Sequence, residues 1–234
     1  MVSGILVEDI IPKKGGQCSF YLKLPKIKVF KEKIGSKFDT TEKAIREKRM
    51  KIHFLMFDDF ETLDLFGPVE ILGRVKEHEL IYDSLKGGIV RSAQGTEIVT
   101  NRLEVLGADS VLVIPGGRAT RELVKDESFL KKLFDLAQDA EYVLSICTGS
   151  ALLAKAGVLN GIKATSNKKA FDWVVSVSDK VQWCRQARWV RDGKIYTSAG
   201  VSAGMDMSLG FIGDLYGMEQ AEQIAQDIEY IWNK

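Results

Sequence analysis

The stretch that decides the fold is Tyr142–Ala156, with the sequence YVLSICTGSALLAKA. The pattern predicts an apolar strand that ends at Ile146, followed by a helix of small residues that begins near Gly149. Cys147 and Thr148 would then lie in a tight strand-to-helix turn, the geometry called a nucleophile elbow. Such a turn carries the sulfur beyond the carboxyl edge of a parallel sheet, where the helix N-terminus favours a thiolate with a lowered pKa. The alternative is a buried cysteine that packs as a small hydrophobe.

The same alternation of apolar runs and helical patterns extends along the chain on both sides. IHFLMF from Ile52 and SVLVIPGG from Ser110 are predicted buried strands, each followed by a polar or glycine-bearing turn. Turn signals at Gly87-Gly88 and Gln94-Gly95 separate further strand-like pieces, and Asp192-Gly193 predicts a hairpin. The alternation predicts an α/β fold with a mostly parallel central sheet covered on both faces.

Three helices are predicted from local signals. Gly67-Pro68 is predicted to open a helix, because proline suits the first helical turn. DESFLKKLFDLAQDA is predicted to bury one face, and MEQAEQIAQDIEYIWNK is predicted to be an amphipathic C-terminal helix. The expected buried positions of these two helices are Phe129, Leu130, Leu133, Phe134 and Leu136 in the first, and Ile224, Ile228 and Ile231 in the second.

Charge divides the chain unevenly. The 234 residues carry a net charge of +1, and 45% of them are hydrophobic, which is typical of a globular protein. Residues 1–49 carry 12 basic and 6 acidic side chains, whereas the remainder carries a net charge of −5. We therefore predict a basic N-terminal extension over residues 1–49, disordered or non-native, and an α/β domain over residues 50–234. A nucleic-acid or acidic surface is the less favoured interpretation of the extension.

Several kinds of site are disfavoured by what the sequence lacks. No window approaches a membrane span, and the first residues lack a secretory signal pattern. Cys18, Cys147 and Cys184 are too scattered for a disulfide framework, which predicts a reducing compartment, the cytoplasm. Because the only histidines are His53 and His78, we expect no metal site, and we expect neither nucleic acid nor membrane as a partner.

Two further features accompany the cysteine. Asp64 lies among Leu63, Leu65 and Phe66 near the end of the first strand, where loss of water would raise its pKa and suit it to proton transfer. The alternative is an ordinary solvated turn carboxylate. Gly116 and Gly117 follow a strand and would expose backbone N–H groups, as an oxyanion hole requires, although an ordinary β–α turn explains them equally well.

Together these features resemble the ThiJ/PfpI superfamily, relatives of the class I glutamine amidotransferases. The resemblance runs from about Lys51 to Trp232 and rests on four segments: LDLFGPVEIL, VLVIPGG, SICTGSALLAKAGVLNGIKATSN and TSAGVSAGMDM. It implies a flavodoxin-like three-layer sandwich. Peptidase-like members place a histidine next to the cysteine, where this chain has Thr148, and many relatives place one at Asn167. Neither histidine of this chain occupies a family catalytic position.

The Cys-Thr pair with Asp64 resembles the isonitrile hydratase branch. This resemblance implies a lyase that hydrates a small isonitrile to an N-substituted formamide, without a cofactor, and commonly as a homodimer. It implies Cys147 as the nucleophile, Asp64 as the group that hydrogen-bonds the sulfur and shuttles protons, and Thr148 as an aid in placing water or the carboxylate. The backbone near Gly116, Gly117 and Thr148 would line the pocket.

Other interpretations remain open. Ser202 and Asp206 in TSAGVSAGMDM would polarise the site from behind, although the small residues there also suit simple packing, which is favoured for Ser202. A glyoxalase or deglycase-like activity on reactive carbonyls is a second enzymatic hypothesis. A ligand- or oxidation-sensing module without turnover is a third hypothesis, and it predicts ready oxidation of Cys147 to the sulfinate.

Overall fold

A computed structural model describes residues 49–234 of the protein. The predicted basic extension lies outside the described residues apart from Arg49, and Cys18 lies outside them as well. The first strand begins at Met50. The predicted division into an extension and a domain stays a prediction.

The described part of the chain alternates strands with helices. Its strands are β1 (Met50–Leu55), β2 (His78–Ser84), β3 (Gly88–Arg91), β4 (Glu97–Arg102), β5 (Ser110–Ile114), β6 (Tyr142–Ser145), β7 (Lys163–Ala164), β8 (Gln182–Trp183), β9 (Trp189–Asp192) and β10 (Ile195–Ser198). Its helices are α1 (Thr62–Leu72), α2 (Thr120–Leu123), α3 (Glu127–Asp139), α4 (Gly149–Lys155), α5 (Phe171–Val177), α6 (Ala203–Tyr216) and α7 (Met218–Asp227).

Eight of the strands form one mostly parallel sheet, as the sequence predicts. Their order is β3-β4-β2-β1-β5-β6-β10-β9, and only β3 and β9 pair with their neighbours in antiparallel fashion. Five of the six parallel strands, β2-β1-β5-β6-β10, follow the strand order of flavodoxin-like sheets. In such sheets ligands bind beyond the carboxyl ends of the strands. The turns after β1, β5, β6 and β10 are therefore the expected place for a functional site.

The central strands are apolar because helices cover both faces of the sheet. All five residues of β5 are buried, and Val143 and Leu144 of β6 are fully buried. The helices form two groups by contact: α1 and α7 both pack against α6, whereas α2, α3 and α5 pack against α4. This arrangement confirms the predicted flavodoxin-like three-layer sandwich. The predicted hairpin is also confirmed, since β9 and β10 meet around Gly193.

The prediction that Gly67-Pro68 opens a helix is wrong. Helix α1 begins five residues earlier, at Thr62, so Pro68 lies inside the helix. Proline is common in a first turn because its missing N–H is not needed there, but the same residue is tolerated further in when one backbone hydrogen bond is given up. The earlier start has a consequence for Asp64, which lies in the first turn of α1 rather than at the end of a strand.

Two predicted buried positions are exposed instead. In α3, Phe129, Leu130 and Leu133 are buried together with Leu136, but Phe134 is 39% exposed because it falls at the edge of the apolar stripe. The C-terminal helix is shorter than predicted. Helix α7 ends at Asp227, so Ile231 lies beyond it and is 86% exposed.

His78 links three elements of the fold through its neutral ring. Its Nδ1 lies 2.7 Å from the Leu72 carbonyl oxygen at the end of α1, so Nδ1 carries the proton. Its Nε2 lies 3.0 Å from the Tyr216 hydroxyl oxygen of α6 and accepts a hydrogen bond from that hydroxyl. Burial lowers the pKa of His78 below its usual value of 6.5, which the nearby Leu72 carbonyl and Glu77 only partly oppose.

A pH effect on stability follows from His78. Since the pKa of this ring is lower in the folded state than in the unfolded state, its protonation favours unfolding as the pH falls below about 6.5. We expect the substitution His78→Gln to destabilise the protein more at pH 7.5 than at pH 5.5. Urea unfolding of both proteins at the two pH values measures this difference. An equal loss of unfolding free energy at both pH values would contradict the assignment.

Candidate active site

The turns after four neighbouring strands bring the predicted site residues together. Asp64 follows β1, Gly116 and Gly117 follow β5, and Cys147 and Thr148 follow β6. Because β1, β5 and β6 run parallel and adjacent, these turns meet at one edge of the sheet. The segment after β10 completes the site beside the turn after β6.

Cys147 occupies a strained turn, as the predicted nucleophile elbow requires. Its φ of 56° lies in the left-handed region, which residues other than glycine seldom adopt. Its N–H donates to the Ala199 carbonyl at 3.2 Å, and its own carbonyl accepts from the hydroxyls of Ser150 (3.1 Å) and Ser166 (2.8 Å). These three hydrogen bonds hold the residue in a conformation that its backbone alone would not favour.

Asp64 is a buried carboxyl group beside the sulfur. Its Oδ2 accepts a hydrogen bond of 2.8 Å from the Gly116 N–H, and its Oδ1 is buried without a hydrogen bond of ordinary geometry. Burial raises the pKa of Asp64 to about 7, and the nearby Glu61 adds to this. The Gly116 N–H, the Cys147 thiol and the Val201 N–H act in the opposite direction. A carboxyl group with this pKa exchanges protons readily near neutral pH.

The thiol of Cys147 differs from what the sequence predicts. Burial, and then the charge of Asp64, raise its pKa to about 12. The Thr148 N–H and the side chains of Asn167 and Thr148 interact with the sulfur and lower the pKa, but they do not offset burial. The helix N-terminus therefore does lower the thiol pKa through the Thr148 N–H, but burial outweighs this effect, so the net direction of the shift is upward. The raised thiol pKa favours the protonated form of Cys147, and Asp64 is the titratable carboxyl group that interacts with its sulfur.

Thr148 is held within a small polar cluster. Its Oγ1 accepts from the Gly117 N–H at 3.1 Å and from the Thr120 hydroxyl at 3.0 Å. The N–H groups of Gly116 and Gly117 thus position Asp64 and Thr148 in the structure, and their expected use as free oxyanion donors stays a prediction. Glycine is required at position 116 by close approach, since an added Cβ would lie 2.6 Å from the Thr148 nitrogen.

Asn167 and Gly200 join the site although the sequence assigns them no role. The Asn167 side chain interacts with the sulfur of Cys147, and its Oδ1 accepts from the Ala170 N–H at 3.0 Å. Gly200 leaves room for this amide, because a Cβ there would lie 2.0 Å from the Asn167 Nδ2. The available signal was the position of Asn167, where many ThiJ/PfpI relatives carry a histidine.

Ser202 and Asp206 contribute to a neighbouring network rather than to the thiol. Asp206 is fully buried and accepts from the Arg188 Nε, from the Tyr230 hydroxyl at 3.1 Å and from the Asn233 N–H at 2.9 Å. The Ser202 hydroxyl accepts from the Arg188 Nη2 at 3.2 Å. Neither residue hydrogen-bonds Cys147 or Asp64 within the described range. Their predicted polarising role stays a prediction, and their contacts show that they anchor Arg188.

The two histidines, which are also potential catalytic residues, form hydrogen bonds away from the thiol. The Nδ1 of His53 lies 2.6 Å from an Asp83 carboxylate oxygen in the sheet, and His78 bonds Leu72 and Tyr216. Over residues 49–234, no group of three histidine, cysteine or acidic side chains is arranged to hold a metal ion. Within the same range, no helix is both long and apolar enough to cross a membrane.

A flavodoxin-like sheet with a cysteine in a strained elbow and a buried carboxyl beside it defines a class of α/β proteins that carry a cysteine at the strand-to-helix turn. The profile of the DJ-1/PfpI family matches residues 50–213, and the chain belongs to this family. The resemblance to ThiJ/PfpI proteins predicted from the sequence is thereby confirmed.

Individual relatives of the chain include two kinds of enzyme. The chain is 32% identical over 189 residues to an isonitrile hydratase from Pseudomonas putida, which covers 77% of this chain and 78% of that protein. It is 34% identical over 175 residues to a deglycase from Thermococcus kodakarensis, with 71% and 93% covered. A crystal structure of a ThiJ/PfpI family protein from Pseudomonas syringae superimposes with a TM-score of 0.69 at 25% identity, covering 91% of this chain and 84% of that one.

The electrostatic coupling of Cys147 to Asp64 is testable through alkylation. Because the charge of Asp64 raises the thiol pKa, the substitution Asp64→Asn should shift the pH profile of Cys147 alkylation to lower pH. Iodoacetamide labelling between pH 7 and pH 10, followed by peptide mass spectrometry, measures this shift. The exposed carboxylate of Asp179 offers a matched control, and Asp179→Asn should leave the profile unchanged. A profile that stays in place in Asp64→Asn would show that the two groups are not coupled.

Proposed function

We propose that the protein is a cysteine-dependent lyase that hydrates isonitriles to N-substituted formamides. The observation that carries the proposal is the contact between the Cys147 thiol and the buried Asp64 carboxyl group, with no histidine beside the sulfur. The isonitrile hydratase relative supports the same reaction. An isonitrile suits this pair because its terminal carbon accepts a nucleophile and then a proton, and both partners are present.

The first half-reaction joins the substrate to the sulfur. The Asp64 carboxylate takes the thiol proton as the sulfur lone pair forms a bond to the terminal carbon of R–NC. The same proton then passes from Asp64 to that carbon, which gives the thioimidate R–N=CH–S–Cys147. The pKa of Asp64, about 7, lies close to working pH and suits both directions of transfer. No free thiolate is needed, which fits the raised thiol pKa.

The second half-reaction releases the product. Asp64 takes a proton from water as the water oxygen bonds to the thioimidate carbon, and the nitrogen is protonated by Asp64 in turn. The tetrahedral R–NH–CH(OH)–S adduct then breaks its carbon–sulfur bond, the hydroxyl proton returns to the sulfur through Asp64, and R–NH–CHO leaves. The balance is one water added to one isonitrile. We assign Thr148 to placing the water, because its hydroxyl lies beside both the sulfur and Gly117.

Variants of the pair test the reaction directly. Cys147→Ala should abolish formamide formation from a small alkyl isonitrile, since no carbon–sulfur bond can form. Asp64→Asn should lower kcat by roughly 10²–10⁴-fold, the usual contribution of a positioned proton-transfer group. Cys184→Ala removes the other described cysteine, whose thiol donates to the Gln182 carbonyl, and should leave the rate unchanged. Retained turnover in Cys147→Ala would refute the mechanism.

The pH dependence of the rate provides a further check. Because the mechanism begins with Asp64 as a carboxylate, kcat/KM should rise as the pH increases through about 7 and then level off. Any residual activity of Asp64→Asn should lack this rise. Initial rates of formamide formation between pH 5.5 and pH 8.5 measure both profiles. A wild-type kcat/KM that falls over the same interval would mean that the active form of Asp64 is the protonated carboxylic acid, which contradicts the mechanism.

Deglycase-like activity on reactive carbonyls is the second candidate, favoured by the Thermococcus kodakarensis relative. A thiol with a neighbouring carboxyl group could add to a carbonyl carbon as well as to an isonitrile carbon. Parallel assays with methylglyoxal, following lactate, and with an isonitrile, following formamide, decide between them. The sensing hypothesis is less well supported, because a buried thiol with a raised pKa oxidises slowly. An unmodified Cys147 after mild peroxide treatment would count against sensing.

We also propose that the protein acts as a cytoplasmic homodimer without a cofactor. Leu63 and Phe66 of α1 are 36% and 40% exposed on the helix that carries Asp64, and an apolar surface of this kind suits a second copy of the chain. Light scattering during size-exclusion chromatography tests the dimer, and Phe66→Glu should shift the mass toward the monomer.

A further inference from the structure

A basic cavity lies next to the thiol, outside the pair that performs the proposed chemistry. It has a volume of about 390 Å³, and its lining includes Asn167, Lys169, Arg188, Gly200 and Val201. Lysine and arginine side chains line this cavity, and no acidic side chain does. Asn167 also interacts with the sulfur of Cys147, so this side chain connects the cavity to the surroundings of the reacting atom.

Backbone hydrogen bonds fix the separation between the main chains of Cys147 and Arg188. The Cys147 N–H donates to the Ala199 carbonyl, and the Ala199 N–H donates at 2.8 Å to the Arg188 carbonyl. These residues therefore lie on three neighbouring segments of the backbone. Two inter-chain spacings of about 4.8 Å place the Cys147 and Arg188 backbones roughly 10 Å apart. A short substrate could bond to the sulfur at one end and reach the Arg188 side chain at the other.

The Arg188 side chain is held in place by hydrogen bonds to neighbouring side chains. Its guanidinium is held by the fully buried Asp206 and by the Ser202 hydroxyl, while 41% of its side chain remains exposed. The Tyr230 hydroxyl and the Asn233 N–H also bond to Asp206, so its charge is shared among several donors. Lys169 is exposed and forms no hydrogen bond or ion pair with another residue in the described range, so its ammonium group is available to a ligand.

We propose that this cavity binds a carboxylate on the substrate, so that the protein prefers isonitriles that carry an anionic group over neutral ones. Arg188 and Lys169 would contact the carboxylate, and Asp206 and Ser202 would be positioning residues that act through Arg188. This inference rests on the proposed function for the identity of the reacting group, but the charge preference belongs to the cavity itself. The proposed carboxylate site also assigns a role to Ser202 and Asp206, which take no part in the reaction at the thiol.

The charge preference can be measured without any turnover. Iodoacetate and iodoacetamide are close in size and differ in charge, and each forms a sulfur–carbon bond to Cys147 with loss of iodide. The ratio of their rates at Cys147, read by peptide mass spectrometry and divided by the same ratio for N-acetylcysteine, reports the effect of the cavity. We expect a normalised ratio of about ten in favour of iodoacetate. A ratio of about this size is what one hydrogen bond to a charged group typically contributes. The ratio should decrease at high salt.

Matched variants locate the effect. Lys169→Gln and Arg188→Gln should both lower the normalised ratio, whereas Lys131→Gln, an exposed lysine on α3, should leave it at the wild-type value. If Arg188→Gln fails to fold because Asp206 loses its partner, Lys169→Gln decides the question alone. A wild-type ratio of one or less, or a ratio in Lys169→Gln equal to that of the wild type, overturns the proposal.

A second comparison separates the inference from the proposed function. Formamide formation from 4-isocyanobutanoate and from its methyl ester should show a kcat/KM preference of about ten-fold for the acid, reduced in Lys169→Gln. If neither compound is hydrated while alkylation still favours iodoacetate, the hydratase proposal fails and the anion site stands. If both are hydrated equally and alkylation shows no preference, the hydratase stands and the anion site fails.

Discussion

The site depends on one hydrogen bond, from the backbone N–H of Gly116 to the carboxyl group of Asp64. A buried carboxylate without partners is costly, and this bond at 2.8 Å offsets the cost more than the Cys147 thiol or the Val201 N–H does. The bond fixes one carboxyl oxygen, while the other is buried without a hydrogen bond of ordinary geometry, and the carboxyl group as a whole interacts with the Cys147 thiol. Burial then raises the pKa of both groups, of the carboxyl group to about 7 and of the thiol to about 12. The pair can therefore share and pass one proton.

Much of the fold follows from local patterns in the sequence. The continuous apolar runs of β1, β5 and β6 predict a parallel sheet covered on both faces, and the turn after β6 predicts the elbow at Cys147. The boundaries of the helices follow less directly from the sequence. Pro68 suggested a helix start because the first turn is its commonest place, whereas α1 accommodates it in the interior. Ile231 followed the apolar period of α7 but lies after the helix has ended.

The candidate site was only partly predictable, for a physical reason. Cys147 and Asp64 stand out because each departs from its local pattern, a cysteine in a turn and a carboxylate among apolar residues. The direction of the thiol pKa could not be read locally. It depends on how deeply the folded chain buries the sulfur and on a carboxyl group 83 residues away in sequence. Asn167 and Arg188 are ordinary polar residues in the sequence, and only the packing of strands brings them beside the cysteine.

The donor that holds Asp64 belongs to the backbone, and this has a consequence for the divergence of such proteins. A side-chain donor can be lost by one substitution, whereas an amide N–H survives every replacement at its position except proline. Position 116 is further restricted, since any side chain there would collide with Thr148. The backbone donor to Asp64 does not depend on the side chains at positions 148 and 167, so a substitution at either position changes the lining of the site without removing the hydrogen bond that holds the carboxyl group.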